Sequence, residues 1–230
     1  LHSHNTTIFR NIAFTFSYNF CCFGSAKWSK KPFFPIFIEC GARHNHAGIN
    51  LQGSPFLFYT RWATHGEVSE ANCHPHADCK GNIWVAHNGI IENYKELKEQ
   101  LSKEGHVFVS ETDTEVLPHL IEKFFEGNLE NAVRKALLLV TGAYALGIIA
   151  RDDSGKLVLA KYSAPLLIGL GQNEYLAASD PSAVITHTNK VVYLEDGELA
   201  VITKESFSIQ EPQLQLDFMN KIFHTLSKKN

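Results

Sequence analysis

The alternation of hydrophobic and polar positions changes character near residue 57. Downstream, LFYTRWA (57–63) and NIWVAHN (82–88) are rich in aromatic and β-branched residues, which predicts buried strands. NYKELKEQLSKEG (93–105) puts Leu97 and Leu101 on one helical face, with Asn93 as cap and Gly105 as stop. VFVS (107–110) alternates like a short strand. DTEVLPHLIEKFFEG (113–127) reads as a second helix, acidic at its start and closed by Gly127, with Pro118 disturbing its first turns. LENAVRKALLLV (129–140) reads as a third. Strand patterns then follow at 143–150, 156–162, 166–171, 174–179, 190–196 and 198–204, punctuated by DDSG and EDG turns. Helices first and an antiparallel meander afterwards make an α+β pattern, not alternating βαβ units.

Residues 1–57 follow neither period. They hold one acidic residue, Glu39, against five basic ones, and KKPFFPIF sets two Pro inside a Phe-rich run. The expected organisation is therefore a segment 1–57 outside the regular domain, a domain over 58–209, and a tail at 210–230 that can form an amphipathic helix.

Composition narrows the function classes. A formal net charge of -3 gives no basic footprint for nucleic acid or for a polybasic membrane contact. No apolar run reaches the length of a transmembrane helix, about 18 residues. The five Cys follow no framework spacing and read as reduced thiols of a cytoplasmic protein.

The chemistry concentrates in three places. CHPHADC offers Cys73, His74, His76, Asp78 and Cys79, and His-x-His can bind zinc. A third fixed ligand is missing at any plausible spacing, so a polar loop is the expectation and no metal is assigned. In HNGIIEN, Asn88 and Gly89 can supply a side-chain amide and a backbone N–H to an oxyanion, or form an ordinary Asn-Gly turn. On these residues alone the turn is favoured. Asp113 either caps a helix or presents a carboxylate to a pocket. Arg61, a cation in an apolar strand, requires a partner. Arg61 and Asp113 together suit the carboxylate and the ammonium group of a free amino acid.

TRWATHG, HPH, VAHNGIIENYKELK, SETDTEVLPHLI, GAYALGII, APLLIGLG and ASDPSAV occur in this order. The series resembles the glutaminase domain of the glutamine–fructose-6-phosphate aminotransferase family. The resemblance implies an N-terminal-nucleophile hydrolase fold, a four-layer αββα sandwich with antiparallel sheets. It implies hydrolysis of glutamine to glutamate, with the ammonia going to glucosamine-6-phosphate synthesis in the hexosamine pathway. No cofactor is implied. Carried over by position, Arg61 holds the glutamine α-carboxylate and Asp113 its α-ammonium. Asn88 and Gly89 form the oxyanion hole, Thr64 and His65 line the pocket, and Trp62 borders the ammonia exit. Glutamine is the expected partner, and family members are oligomeric through their isomerase region.

The family's nucleophile is an N-terminal cysteine whose own α-amine serves as base. Cys21, Cys22 and Cys40 are internal, and only 20 residues separate Cys40 from Arg61, too few for the family's first strands and helix. The expectation is thus a chain lacking the nucleophile and incomplete in its N-terminal strands, with residues 1–57 of other origin. The alternative function is a non-catalytic glutamine-binding fragment.

Overall fold

The computed structural model describes residues 11–15, 38–39, 56–57, 59–60, 70–172 and 174–211. Three helices, α1 (Tyr94–Lys103), α2 (Val116–Phe124) and α3 (Leu129–Leu137), cover one face of a six-stranded sheet. Its order is β13-β12-β8-β7-β6-β5, every neighbour antiparallel. The strands are β5 (His76–Ala77), β6 (Ile83–Ile91), β7 (Gly142–Ala150), β8 (Lys156–Tyr162), β12 (Leu199–Thr203) and β13 (Phe207–Gln210). A second sheet, β11-β9-β10-β1-β3, contains β1 (Asn11–Thr15), β3 (Phe56–Leu57), β9 (Leu167–Leu170), β10 (Glu174–Ala178) and β11 (Val191–Tyr193).

Strand alternation builds both cores. Leu146, Ile148, Val158, Ala160, Leu199 and Val201 face the helices. Ala145, Ile149, Leu157, Leu159, Ala200 and Ile202 face the second sheet, where they meet Ile168 and Ala177. Along α1, Leu97 and Leu101 anchor the helix in the first core. Each such burial contributes about 1.5–3 kcal/mol relative to exposure. The result is an α/β/β layering, the expected antiparallel α+β architecture. A second helical layer is not among the described residues.

Several expectations change. The 57–63 strand is described only as β3 and as β4 (Tyr59–Thr60), which pairs in parallel with β2 (Ile38–Glu39). β1 lies within the segment whose pattern announces no strand, and it runs parallel to β10. The rest of segment 1–57, and the tail beyond 211, lie outside the described residues. Asn93 occupies the cap position of α1, but its side chain does not cap. It donates to the Leu139 carbonyl (2.8 Å) and accepts from the Thr141 N–H (2.9 Å), tying α1 to the start of β7. VFVS is not a strand. Its Val107 and Val109 point to solvent, and the Val109 and Ser110 N–H groups donate to the Glu115 carboxylate instead of to a ladder. Pro118 stands at the third position of α2, where no intrahelical partner for an N–H exists, so the helix tolerates it. Residues 113–115, ahead of the helix, form a bend and a turn rather than helix.

Asn88-Gly89 is not a turn either. β6 runs straight through it, with Gly89 opposite Tyr144 and Ile91 opposite Gly142. Gly89 has φ +137° and Gly142 φ +134°, values that disfavour any side chain. A Cβ on Gly89 would lie 2.0 Å from the Ala143 carbonyl oxygen, and one on Gly142 would lie 2.2 Å from that of Ile90. The two glycines let the strands approach at the end of the pair that carries the candidate chemistry. Gly142→Ala is expected to cost at least about 3 kcal/mol, through strain and a backbone clash. Denaturant midpoints of the two proteins measure it.

Candidate active site

The Glu92 N–H donates to the Thr141 carbonyl at 2.8 Å. With the β6–β7 register, this makes 88/145 and 90/143 the hydrogen-bonded pairs. The amides of 83, 85, 87, 89 and 91 therefore point away from β7. Ile83 N–H donates to Asp78 Oδ1 (3.1 Å), and Val85 faces His76 of β5. His87 N–H donates to His74 Nδ1 (3.3 Å), and Ile91 N–H to Asp113 Oδ2 (2.7 Å). The Gly89 N–H lies between these last two, and no side chain among the described residues accepts it.

Around this row sits a buried polar cluster. His87 Nδ1 is 2.9 Å from Thr114 Oγ1, and Thr112 Oγ1 is 2.9 Å from His76 Nε2. The Glu111 N–H donates to Asn72 Oδ1 (2.9 Å). Asp113 is 4% exposed and its remaining oxygen, Oδ1, is 3.5 Å from the Thr114 hydroxyl. The SETDTE segment is thus fastened to β6 and to the HPH loop at once. Asp113 does not cap α2; it binds a strand amide and holds a second oxygen in reserve.

Burial pushes the His87 imidazole below its ordinary value of 6.5, against the opposing pull of the Asp113 carboxylate and the Ala143 carbonyl. Its Nε2 is buried and closes no hydrogen bond. Glu115 behaves differently. Burial alone would raise its pKa, but His119, the Val109 and Ser110 amides and the Ser110 hydroxyl outweigh it and bring it down to about 2.

Asn88 and Gly89 are therefore neighbours of Asp113 through one strand. Arg61, Trp62, Thr64 and His65 lie outside the described residues. The CHPHADC donors do not converge. His74 and His76 belong to the polar cluster, and Asp78 Oδ1 binds the Asn82 (2.6 Å) and Ile83 amides. Cys79 turns toward α2. Sequence reasoning missed His87, Thr112 and Thr114 as the links between these loops. The buried side of SETDTE was the available signal, because two Thr flank Asp113 in a segment too polar for the core.

The sequence profile described as "Glutamine amidotransferase domain" matches residues 61–186. The chain belongs to the glutamine amidotransferase domain family. This domain is 48% identical over 164 residues to glutamine–fructose-6-phosphate aminotransferase [isomerizing] of Thermococcus kodakarensis, covering 70% of this chain and 27% of that protein. It is 50% identical over 155 residues to the same-named protein of Methanothermobacter thermautotrophicus, covering 66% and 26%. The chain thus spans about a quarter of the length of these curated relatives. Among solved structures, the amidotransferase domain resembles glutamine phosphoribosylpyrophosphate amidotransferase from B. subtilis. The TM-score is 0.58 at 29% identity, over 67% of this chain and 34% of that one. A second solved structure, an allosteric regulatory enzyme of purine biosynthesis, gives a TM-score of 0.59 at 29% identity, with the same coverage.

The position of His87 sets a pH dependence. Its folded pKa is lowered, so its contribution to stability is complete above the unfolded value of 6.5. That contribution is lost as pH falls below 6.5, because the unfolded chain then takes up a proton that the folded one refuses. His87→Gln should flatten the decline in unfolding free energy between about pH 6.5 and about pH 5. Denaturant titrations across that range test it, and equal slopes in both proteins would contradict it.

Proposed function

We propose that this domain binds glutamine and releases its amide nitrogen, as the glutaminase part of an aminotransferase that converts fructose-6-phosphate to glucosamine-6-phosphate. The observation that carries the reading is the row of amides on β6. His87 and Ile91 are satisfied by His74 and Asp113, and the Gly89 N–H between them is left for a ligand. A backbone N–H beside the Asn88 amide suits the oxygen of a tetrahedral intermediate. Asp113, buried and already oriented by Ile91, suits the α-ammonium group of glutamine through Oδ1. Arg61 then takes the α-carboxylate, Thr64 and His65 line the pocket, and Trp62 borders the ammonia exit.

In this reading a cysteine thiolate adds to the amide carbon and the C–N bond breaks. The nitrogen gains a proton from the ammonium formed when the terminal amine took the thiol proton. A thioester remains, and water cleaves it to glutamate. Among the described residues the cysteines are Cys73 and Cys79. Both are internal, with an amide nitrogen in place of an amine, and the reading assigns the step to neither. The 48% and 50% identity to named fructose-6-phosphate aminotransferases supports the acceptor. The reading carries with it a cytoplasmic enzyme whose oligomeric contacts lie in the isomerase region.

Calorimetric titration with glutamine tests this, alongside an ammonia-release assay. Asp113→Asn keeps an acceptor for the Ile91 amide but loses the charge. It is expected to weaken glutamine binding at least tenfold, since a charge-assisted hydrogen bond contributes about 1.5–3 kcal/mol. Binding without ammonia release supports the non-catalytic glutamine-binding form. No binding, with Asp113→Asn indistinguishable from the parent, overturns the proposal.

A further inference from the structure

Cys79, His106, His119 and Glu122 converge on one point. Their donor atoms all lie within 4.8 Å of one another. Cys79 Sγ is 3.5 Å from His106 Nδ1 and 3.3 Å from His119 Nδ1. Glu122 Oε2 is 3.2 Å from His106 Nδ1 and 3.9 Å from His119 Nδ1. Zinc held tetrahedrally at 2.0–2.3 Å separates such N, O and S donors by about 3.3–3.6 Å. These four edges bracket that value.

The surroundings are those of a metal site as well. His119 is buried, and its other ring nitrogen, Nε2, lies 3.7 Å from Glu115 Oε1 and closes no hydrogen bond. A carboxylate behind a ligating histidine fixes the ring and raises its basicity. Glu115 is itself held by the Val109 and Ser110 amides and the Ser110 hydroxyl. Lys80 Nζ lies 3.2 Å from the outer Glu122 oxygen, leaving Oε2 to face the cluster. The Cys79 N–H also leans on Glu122 Oε2, at 3.4 Å.

The backbone delivers each donor by a separate device. Cys79 sits in the turn closed by the Gly81 N–H to the Asp78 carbonyl, just ahead of β6. His106 follows the end of α1, where its own N–H returns to the Leu101 carbonyl and that of Gly105 to Ser102. His119 and Glu122 are three apart on α2 and share a face.

We infer that Cys79, His106, His119 and Glu122 bind one structural zinc ion. One thiolate and one carboxylate balance the two positive charges, and two neutral imidazoles complete a closed tetrahedron. Four protein donors leave no position for water or substrate, so the ion joins segments rather than catalyses. Binding releases the Cys79 thiol proton to solvent.

The test is metal content of the purified, reduced full chain after zinc loading and gel filtration, with cobalt as spectroscopic probe. The parent chain is expected to retain one equivalent of zinc. With cobalt it should show a thiolate-to-metal charge-transfer band. Cys79→Ser should abolish that band and lower zinc affinity at least about tenfold, whereas Cys73→Ser should keep both. His106→Gln, at the rim of the cluster, gives a second loss that does not depend on the thiol. Zinc retention equal in the parent, Cys79→Ser and His106→Gln overturns the proposal, as does a parent chain that retains none.

Discussion

The outer edge of β6 must satisfy a row of backbone amides, and among the described residues only the two-residue β5 lies against it. An unpaired amide in a buried strand costs about as much as a lost hydrogen bond plus desolvation. The chain meets this with side chains brought from either end of the sequence around β6. Asp78 and His74 come from the loop before the strand, and Asp113 comes from the segment before α2. Those loops are polar and buried because the edge demands acceptors there. The candidate site sits on the same edge: the Gly89 amide lies between His87 and Ile91, whose amides have side-chain acceptors.

The regular parts of this arrangement were legible in the sequence. The period of Leu97 and Leu101 was a local signal, and the meander followed from strand alternation between turns. Local signals failed where a distant group competed for the backbone. Val107 and Val109 alternate like strand residues, yet both face solvent, because the Glu115 carboxylate takes the amides that a ladder would use. Asn88-Gly89 looks like a turn because the dipeptide tolerates positive φ. Its use here is to let β6 pass close to β7, and only the facing carbonyl of Ala143 reveals that. Asn93 was recognised as the residue at the head of α1, but its side chain is committed across to residues 139 and 141.

The identity of the candidate site was legible in a different way. Asn88, Gly89 and Asp113 are ordinary residues separately, and each has a structural use that periodicity cannot distinguish from a chemical one. Their order and the motifs around them carry the resemblance to the glutamine amidotransferase domain, and the fold puts the three on and beside one strand. Residues 88 and 89 stand on the strand whose next outward amide, that of Ile91, holds the Asp113 carboxylate. The zinc-type donors had no such signature, because they come from a turn, a helix exit and a helix face. CHPHADC drew attention to the one segment from which only Cys79 contributes.

Glu115 connects the two halves of this account. It lies two residues after Asp113 and four before His119, with 2% of its surface exposed. A carboxylate so deep is tolerable only when its lone pairs are filled, and two amides and a hydroxyl do so, with the His119 ring 3.7 Å away, bringing its pKa down to about 2. Ordinary pH therefore leaves a fixed negative charge at the head of α2, where the helix dipole favours it. On one side that charge orders residues 109–110 and the turn that presents Asp113. On the other it faces His119 and, through it, the cluster with Cys79. The carboxylate that shapes the loop of the candidate glutamine site also orients a member of the second site. One buried charge bears on the geometry of both.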